Sequence, residues 1–168
     1  MSDNKHDILT VLQDVRDGNL TPEGALLRLK LSPFEDLGYA KVDYHRAVRQ
    51  GAAEVIFGQS KTTEQILGIL GSMERRQCTN VLVTRINQET ADALSERFPV
   101  RYNALARLAV VFPKALEGRG SIVVATGGTS DMGVAEEAAI TAEALGNAVT
   151  RLYDVGVAGL HRLLANLE

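Results

Sequence analysis

Residues 121 to 133, Ser-Ile-Val-Val-Ala-Thr-Gly-Gly-Thr-Ser-Asp-Met-Gly, concentrate groups that suit a ligand. Gly127 and Gly128 allow the backbone to approach an anion closely. Thr129 and Ser130 add hydroxyl donors, and Asp131 adds a carboxylate, a poor phosphate ligand but a good acceptor for ribose hydroxyls. The β-branched run Ile122 to Ala125 reads as a strand, and the alanine-rich stretch from Val134 to Leu145 reads as a helix. Strand, glycine turn and helix start is the layout with which α/β proteins present free helix N–H groups to phosphate. An ordinary βα turn, in which Ser130 or Asp131 only caps the helix, has the same composition, and both readings stand at this level.

The other reactive side chains are more scattered. Gly58-Gln59-Ser60-Lys61-Thr62 resembles the end of a phosphate-binding P-loop, but Ser60 and Val55 stand where that motif needs glycines. Lys61 remains a candidate anion contact at a strand-to-helix turn, or a solvated loop lysine. Asp43, Arg46, Arg49 and Glu54 suit an ion-pair network. The two arginines also suit the anionic end of a substrate, and Arg46 is a candidate contact on that ground. His6, His45 and His161 show no metal-ligand spacing. The single cysteine, Cys78, excludes an internal disulfide and reads as a half-buried, inert thiol between a helix and a strand.

These groups need a scaffold, and the chain of 168 residues is long enough for one domain or two small ones. A net charge of −3 gives no general attraction to nucleic acid, and few aromatics and no tryptophan leave no stacking platform for single strands. No window is apolar enough for a membrane span, and the polar N-terminus carries no signal region. A cytoplasmic protein is the expectation.

Ile8, Val11, Leu12 and Val15 lie on one face of an expected helix over 7–17, stopped by Gly18. Thr21-Pro22-Glu23 opens a second helix with Leu26, Leu27 and Leu29 as its apolar face, and Ser32 to Gly38 reads as loop. Ala53 to Phe57 is an expected strand. Thr62 and Gln65 have capping-box spacing before a helix carrying Ile66, Ile69, Leu70 and Met73. Val81 to Thr84 is a strand, Asn87 caps a helix with Ala91 and Leu94 inward, and Ala106 to Phe112 is a third apolar run. Alternating strands and helices imply an α/β unit with a largely parallel sheet. The expected parts are a helical arm over 1–42, a small α/β domain over 43–117, and a second βαβα series over 118–168. Two strands cannot bury both faces of a sheet well, so the second series reads as incomplete or as completed by another chain.

At the glycine turn, with Glu136-Glu137-Ala138 behind it, the chain resembles the nucleotide-binding turn of PurE-type aminoimidazole ribonucleotide carboxylases. Those enzymes carry Gly-Ser-x-Ser-Asp there, and this chain has Gly128 in place of their first serine. Further segments narrow the likeness: Asp43-Tyr-His-Arg-Ala-Val-Arg-Gln-Gly, Glu54-Val-Ile-Phe-Gly-Gln-Ser-Lys-Thr, Thr84-Arg85, and Tyr153-Asp154-Val-Gly-Val-Ala-Gly159-Leu-His-Arg162. In this order they resemble LarB, the carboxylase/hydrolase that starts synthesis of the nickel-pincer nucleotide cofactor.

The resemblance implies a flavodoxin-like, three-layer parallel α/β catalytic domain that begins near residue 118. It implies a substrate, nicotinic acid adenine dinucleotide, and a co-substrate, carbon dioxide or bicarbonate. The pyridinium ring would gain a second carboxylate and the phosphoanhydride would be cleaved, giving AMP and pyridinium-3,5-biscarboxylic acid mononucleotide. An electron-poor ring carbon does not attack carbon dioxide unaided. The family solves this with a cysteine that adds to the ring and later leaves. Magnesium suits the pyrophosphate, and no organic cofactor is implied.

By matching position Ser130 and Asp131 would hold phosphate and ribose, Gly127, Gly128 and Thr129 would line the turn, and Asp154 and Gly156 would contact substrate. The family's nucleophilic cysteine falls past Glu168, so the resemblance implies an N-terminal portion that is inactive alone and a parent that is a homo-oligomer. Tyr153 to Ala158 replaces the Ser-Ala-His-Arg-Thr-Pro motif of the purine enzymes. Val155 cannot shuttle a proton as their histidine does, which argues against aminoimidazole ribonucleotide as substrate. The alternatives are a true aminoimidazole ribonucleotide carboxylase or mutase, and a non-catalytic nucleotide-binding or assembly module.

Overall fold

The computed structural model describes residues 3–31, 34–43, 54–116, 118 and 120–165. Contacts group the chain into two compact units, one of residues 1–54 with 62–78 and one of residues 55–61 with 79–168. The boundary expected at residue 117 falls inside the second unit. Among the described residues no helix is long and apolar enough to cross a membrane.

The first unit begins with α1 (Asp3–Arg16) and α2 (Pro22–Leu31). Gly18, at φ +76, ends α1 in the left-handed conformation that glycine adopts without cost. The Thr21 hydroxyl accepts from the Gly24 N–H at 3.0 Å and satisfies an orphan donor of α2. α1 and α2 pack together; Val11 of α1 and Ala25 of α2 are buried, whereas Leu26 and Leu27 are exposed. The expected leucine face of the second helix is corrected at Leu26 and Leu27; Leu29 is half-buried and Ala25 is the buried residue.

The segment read as a loop after α2 instead forms an antiparallel hairpin of β1 (Phe34–Asp36) and β2 (Lys41–Asp43), with Glu35 opposite Val42. Its turn is closed by Gly38 at φ +82, whose N–H donates to the Asp36 carboxylate at 2.8 Å. Glu35 then accepts from Ser72 Oγ at 2.6 Å and Arg75 Nη2 at 2.8 Å, which ties the hairpin to α3 (Thr63–Arg75). The capping box expected at α3 is present. Thr62 Oγ1 accepts from the Gln65 N–H, and the Gln65 side chain accepts from the Thr62 N–H.

The second unit holds a four-stranded sheet in the order β3-β4-β6-β5: β3 (Val55–Phe57), β4 (Val81–Thr84), β5 (Val100–Asn103) and β6 (Leu108–Val111). Only β3 and β4 run parallel; β6 is antiparallel to both β4 and β5. This mixed sheet corrects the expectation of a largely parallel one. The cause is local: β5 and β6 form a hairpin, so β6 returns against β4 instead of crossing over. Its turn uses no glycine. Arg107 takes φ +51, and Asn103 Oδ1 accepts from the Ala106 N–H at 2.9 Å. Every residue of β4 and β6 is buried, as expected for central strands. Between β4 and β5 lies α4 (Gln88–Ser95), capped by Asn87 and burying Ala91 and Leu94 as the spacing predicts.

Beyond residue 118 come β7 (Ser121–Ala125), α5 (Met132–Ala144), β8 (Ala148–Leu152) and a short α6 (Leu160–Leu164). β7 and β8 pair in parallel, with Ala125 opposite Leu152. α5 lies against both of them, and its Ile140 and Ala144 also pack on Leu82, Ala106, Leu108 and Val110 of the four-stranded sheet. A helix held between two sheets has little room for large side chains, which accounts for its alanines. Ala135, Ala139 and Ala144 are buried.

Candidate functional site

Parallel strands bring their carboxyl ends to one edge, the edge at which open α/β sheets take ligands. Here the edge carries the loops after β7 and β8, and the two are stitched together at Thr126. Thr126 is 6% exposed. Its N–H donates to the Leu152 carbonyl at 3.0 Å, its carbonyl accepts from the Val155 N–H at 2.9 Å, and its hydroxyl accepts from the Asp154 N–H at 3.0 Å. A buried hydroxyl used in this way is satisfied, and breaking the set would leave buried donors without partners.

The loops also meet as bare backbone. Gly156 stands so close to Gly127 that a Cβ on Gly156 would overlap the Gly127 carbonyl oxygen. Gly156 sits at φ −60 and ψ 147, which any residue adopts, so it is the close approach and not the dihedral angle that requires glycine. Asp154 is the unusual backbone of this edge, at φ +58. Its carboxylate meets Arg162 of α6, with Nη1 2.6 Å from Oδ1, and Arg162 Nη2 donates to the Gly156 carbonyl at 3.4 Å.

After Gly128 the chain makes a 3-10 turn over Thr129–Asp131 and enters α5. Thr129, Ser130 and Asp131 are exposed, and neither the turn nor α5 has a side-chain cap. The ordinary-turn reading, with Ser130 or Asp131 capping the helix, is not what the chain does. Ser130 Oγ instead lies 3.4 Å from Asp131 Oδ1.

α5 is anchored from several sides. Arg85, just after β4 and at φ +60, places Nη2 3.1 Å from Glu137 Oε2. Gly133 passes under the β5–β6 turn, where a Cβ would stand 3.0 Å from the Leu105 carbonyl oxygen. On the strand side Arg151 meets Glu136 at 3.1 Å and Glu143 at 2.5 Å, and the Tyr153 hydroxyl donates to Glu136 at 2.8 Å. The two carboxylates hold the Arg151 guanidinium above its already high range. Burial, and then the Glu136 carboxylate, push the Tyr153 phenol up from its ordinary value. Each ion pair is partly solvated and contributes about 0–1 kcal/mol, so they orient the helix more than they stabilise it.

The structure thus brings Gly127, Gly128, Thr129, Ser130, Asp131, Asp154 and Gly156 to one edge. Lys61 lies in the turn between β3 and α3, its N–H donating to Gly58 at 3.0 Å. Arg46 lies outside the described residues, as do His45 and Arg49. Cys78 is half-buried between α3 and β4, and His161 is exposed on α6. Among the described residues no group of three or more His, Cys, Asp or Glu is placed to hold a metal. Sequence reasoning passed over Thr126 and Arg162. The first was signalled by a lone hydroxyl between an apolar strand and two glycines. The second lies in the Gly159-Leu-His-Arg162 segment, at a distance from Asp154 in sequence that conceals their pairing.

The family described as LarB/PurE-like N-terminal domain matches residues 34–113. That range takes in the hairpin, α3 and the four-stranded sheet. The uncharacterized protein MJ0165 of Methanocaldococcus jannaschii is 30% identical over 180 residues, an alignment covering 100% of this chain and 68% of that protein.

Proposed function

The chain belongs to the LarB/PurE-like family, and on that premise we propose that its 127–131 turn holds the nucleotide part of nicotinic acid adenine dinucleotide. The family brings a carboxylase-type fold and role. The finer reading is the LarB reaction: addition of carbon dioxide or bicarbonate to the pyridinium ring, and hydrolysis of the phosphoanhydride to AMP and pyridinium-3,5-biscarboxylic acid mononucleotide. One observation carries the assignment of the turn. Thr129, Ser130 and Asp131 stand at the carboxyl edge of a parallel strand pair with no side chain spent on capping α5.

In this reading Gly127 and Gly128 admit the phosphates, Thr129 and Ser130 donate to them, and Asp131 accepts from a ribose hydroxyl. Magnesium, where bound, would accompany the pyrophosphate of the substrate and neutralise its charge. Lys61 and Arg46 remain candidate contacts for the anionic end of the substrate. The sole cysteine, Cys78, follows α3 and is assigned no part in the chemistry.

Calorimetric titration with nicotinic acid adenine dinucleotide and magnesium tests it. Binding is expected in the native chain and loss of about tenfold or more is expected in Asp131→Ala, as for a hydrogen bond to a charged group. Preference for aminoimidazole ribonucleotide, or binding indifferent to Asp131, would overturn the reading.

A further inference from the structure

A cavity of about 700 Å³ lies at the opposite edge of the β7–β8 pair, where both strands begin. Its walls include Arg101 of β5, Val110 of β6, Lys114, Ile140 and Ala144 of α5, and Asn147. β7 and β8 each run five residues, so about 16 Å separates this edge from the one that carries the 127–131 turn.

The sheet register supplies an apolar floor. Arg101 stands opposite Val110, and Val110 opposite Leu82. Residues directly opposite one another share a sheet face, and this is the face on which Ile140 and Ala144 pack. Arg101 is exposed, so it ends an apolar row with a guanidinium beyond the cover of α5. Lys114 is brought to the same cavity by a buried side chain. Asn80, at φ +54, donates through Nδ2 to the Lys114 carbonyl at 3.0 Å and accepts from the Lys114 N–H at 2.8 Å. Both ends of the amide are used, so Asn80 fixes where the lysine leaves the backbone.

The charges of the cavity are not balanced. Lys114 is exposed, and neither it nor Arg101 has a carboxylate partner among the described residues. Glu143 also lines the wall, but its carboxylate meets Arg151 at 2.5 Å. The carbonyl end of α5 is occupied too. The Gly146 N–H donates to the Glu143 carbonyl at 2.9 Å, and the Asn147 N–H and Nδ2 both donate to the Ala142 carbonyl at 3.1 Å.

We propose that this cavity binds a small organic anion, a carboxylate carried on an apolar body. The body would cover Val110, Ile140 and Ala144, and the carboxylate would meet Arg101 and Lys114. A guanidinium takes a carboxylate through two parallel hydrogen bonds, and an apolar floor with a few converging polar groups is the usual make-up of a small-molecule site. The site binds without chemistry, since the carboxylate that could act as a base, Glu143, is held by Arg151. It shares no residue with the nucleotide turn, and the proposal stands apart from that reading.

The competing reading is an open groove beside two ordinary solvated cations. The full chain is titrated calorimetrically with cinnamate, with cinnamamide and with sodium phosphate, and amide chemical shifts are followed by NMR. Cinnamate is expected to bind at one site and to shift residues 101–103, 114 and 140–148. Cinnamamide lacks the charge and phosphate lacks the apolar body, so each should bind about fivefold more weakly or worse. Arg101→Gln and Lys114→Gln should each weaken cinnamate about fivefold, whereas Arg107→Gln, at an exposed arginine of the β5–β6 turn, should leave it unchanged.

No cinnamate binding at millimolar concentration overturns the proposal. So does phosphate or cinnamamide binding as tight as cinnamate, an equal loss in Arg107→Gln, or shifts centred on the 127–131 turn. If either glutamine variant does not fold, the amide comparison and the shift map of the native chain decide.

Discussion

The turns that enter α3 and α5 are built from similar residues and end differently. Gly58 to Thr62 closes on itself: Lys61 N–H reaches Gly58, and Thr62 exchanges hydrogen bonds with Gln65. Gly127 to Asp131 has a comparable supply of glycine and hydroxyl groups, yet no side chain caps the helix it enters. Asn87 before α4 follows the closed pattern, accepting from the Thr90 N–H at 2.9 Å. The difference separates a closed turn from an open one within one residue vocabulary. Where the hydroxyl or carboxylate is spent on the helix, the turn holds the fold. Where it is left at the strand edge, the turn has groups to offer a ligand.

Gly156→Ala should have the largest effect, because the new Cβ would enter the space of the Gly127 carbonyl oxygen. Forcing these loops apart should cost about 1–3 kcal/mol and weaken nucleotide binding with it. Urea unfolding beside calorimetry reads both, and a variant as stable as the native chain would show that the loops do not meet.

Thr62→Ala and Ser130→Ala should then split the two properties. Loss of the α3 cap should cost about 1 kcal/mol and leave nucleotide binding unchanged. Ser130→Ala should leave stability within about 0.5 kcal/mol, as at an exposed site, and weaken nucleotide binding. The reverse pattern would break the comparison.

The smallest effect is expected at Tyr153, which fastens the open turn's partner loop to α5. Its phenol is pushed above the ordinary value of 10.0 by burial first and by Glu136 second. The folded chain therefore keeps a proton that the unfolded chain loses. That stabilisation is full below pH 10.0 and declines as pH rises through the folded value. Tyr153→Phe should remove this decline, seen as a smaller loss of thermal stability above pH 10 than in the native chain.

Much of this architecture was legible in residue pattern alone. Thr62 and Gln65 announced a capping box, Asn87 a cap, and the β-branched run before Gly127 a strand; each is where its chemistry put it. The hairpin of Phe34–Asp36 with Lys41–Asp43 was missed because its strands are short and carry charges. The direction of β6 was missed because its hairpin turn contains no glycine; Arg107 takes the left-handed φ without the usual signal. In α2 the leucines suggested the buried face, whereas Ala25 provides it and Leu26 and Leu27 stay in solvent. At the candidate site the glycines and hydroxyls were readable one by one. Thr126 and Arg162 were not, because each acts on residues distant in sequence that the parallel strand pair brings together.

Thr126 has one more consequence. Amides in a surface loop ordinarily exchange with solvent through small local openings. Those of Asp154 and Val155 are bonded to the hydroxyl and carbonyl of a residue that is itself paired to Leu152. Their deuterium uptake should follow that of the strand pair and lag behind that of the neighbouring loop. A residue at the tip of a loop would then report the opening of the sheet beneath it.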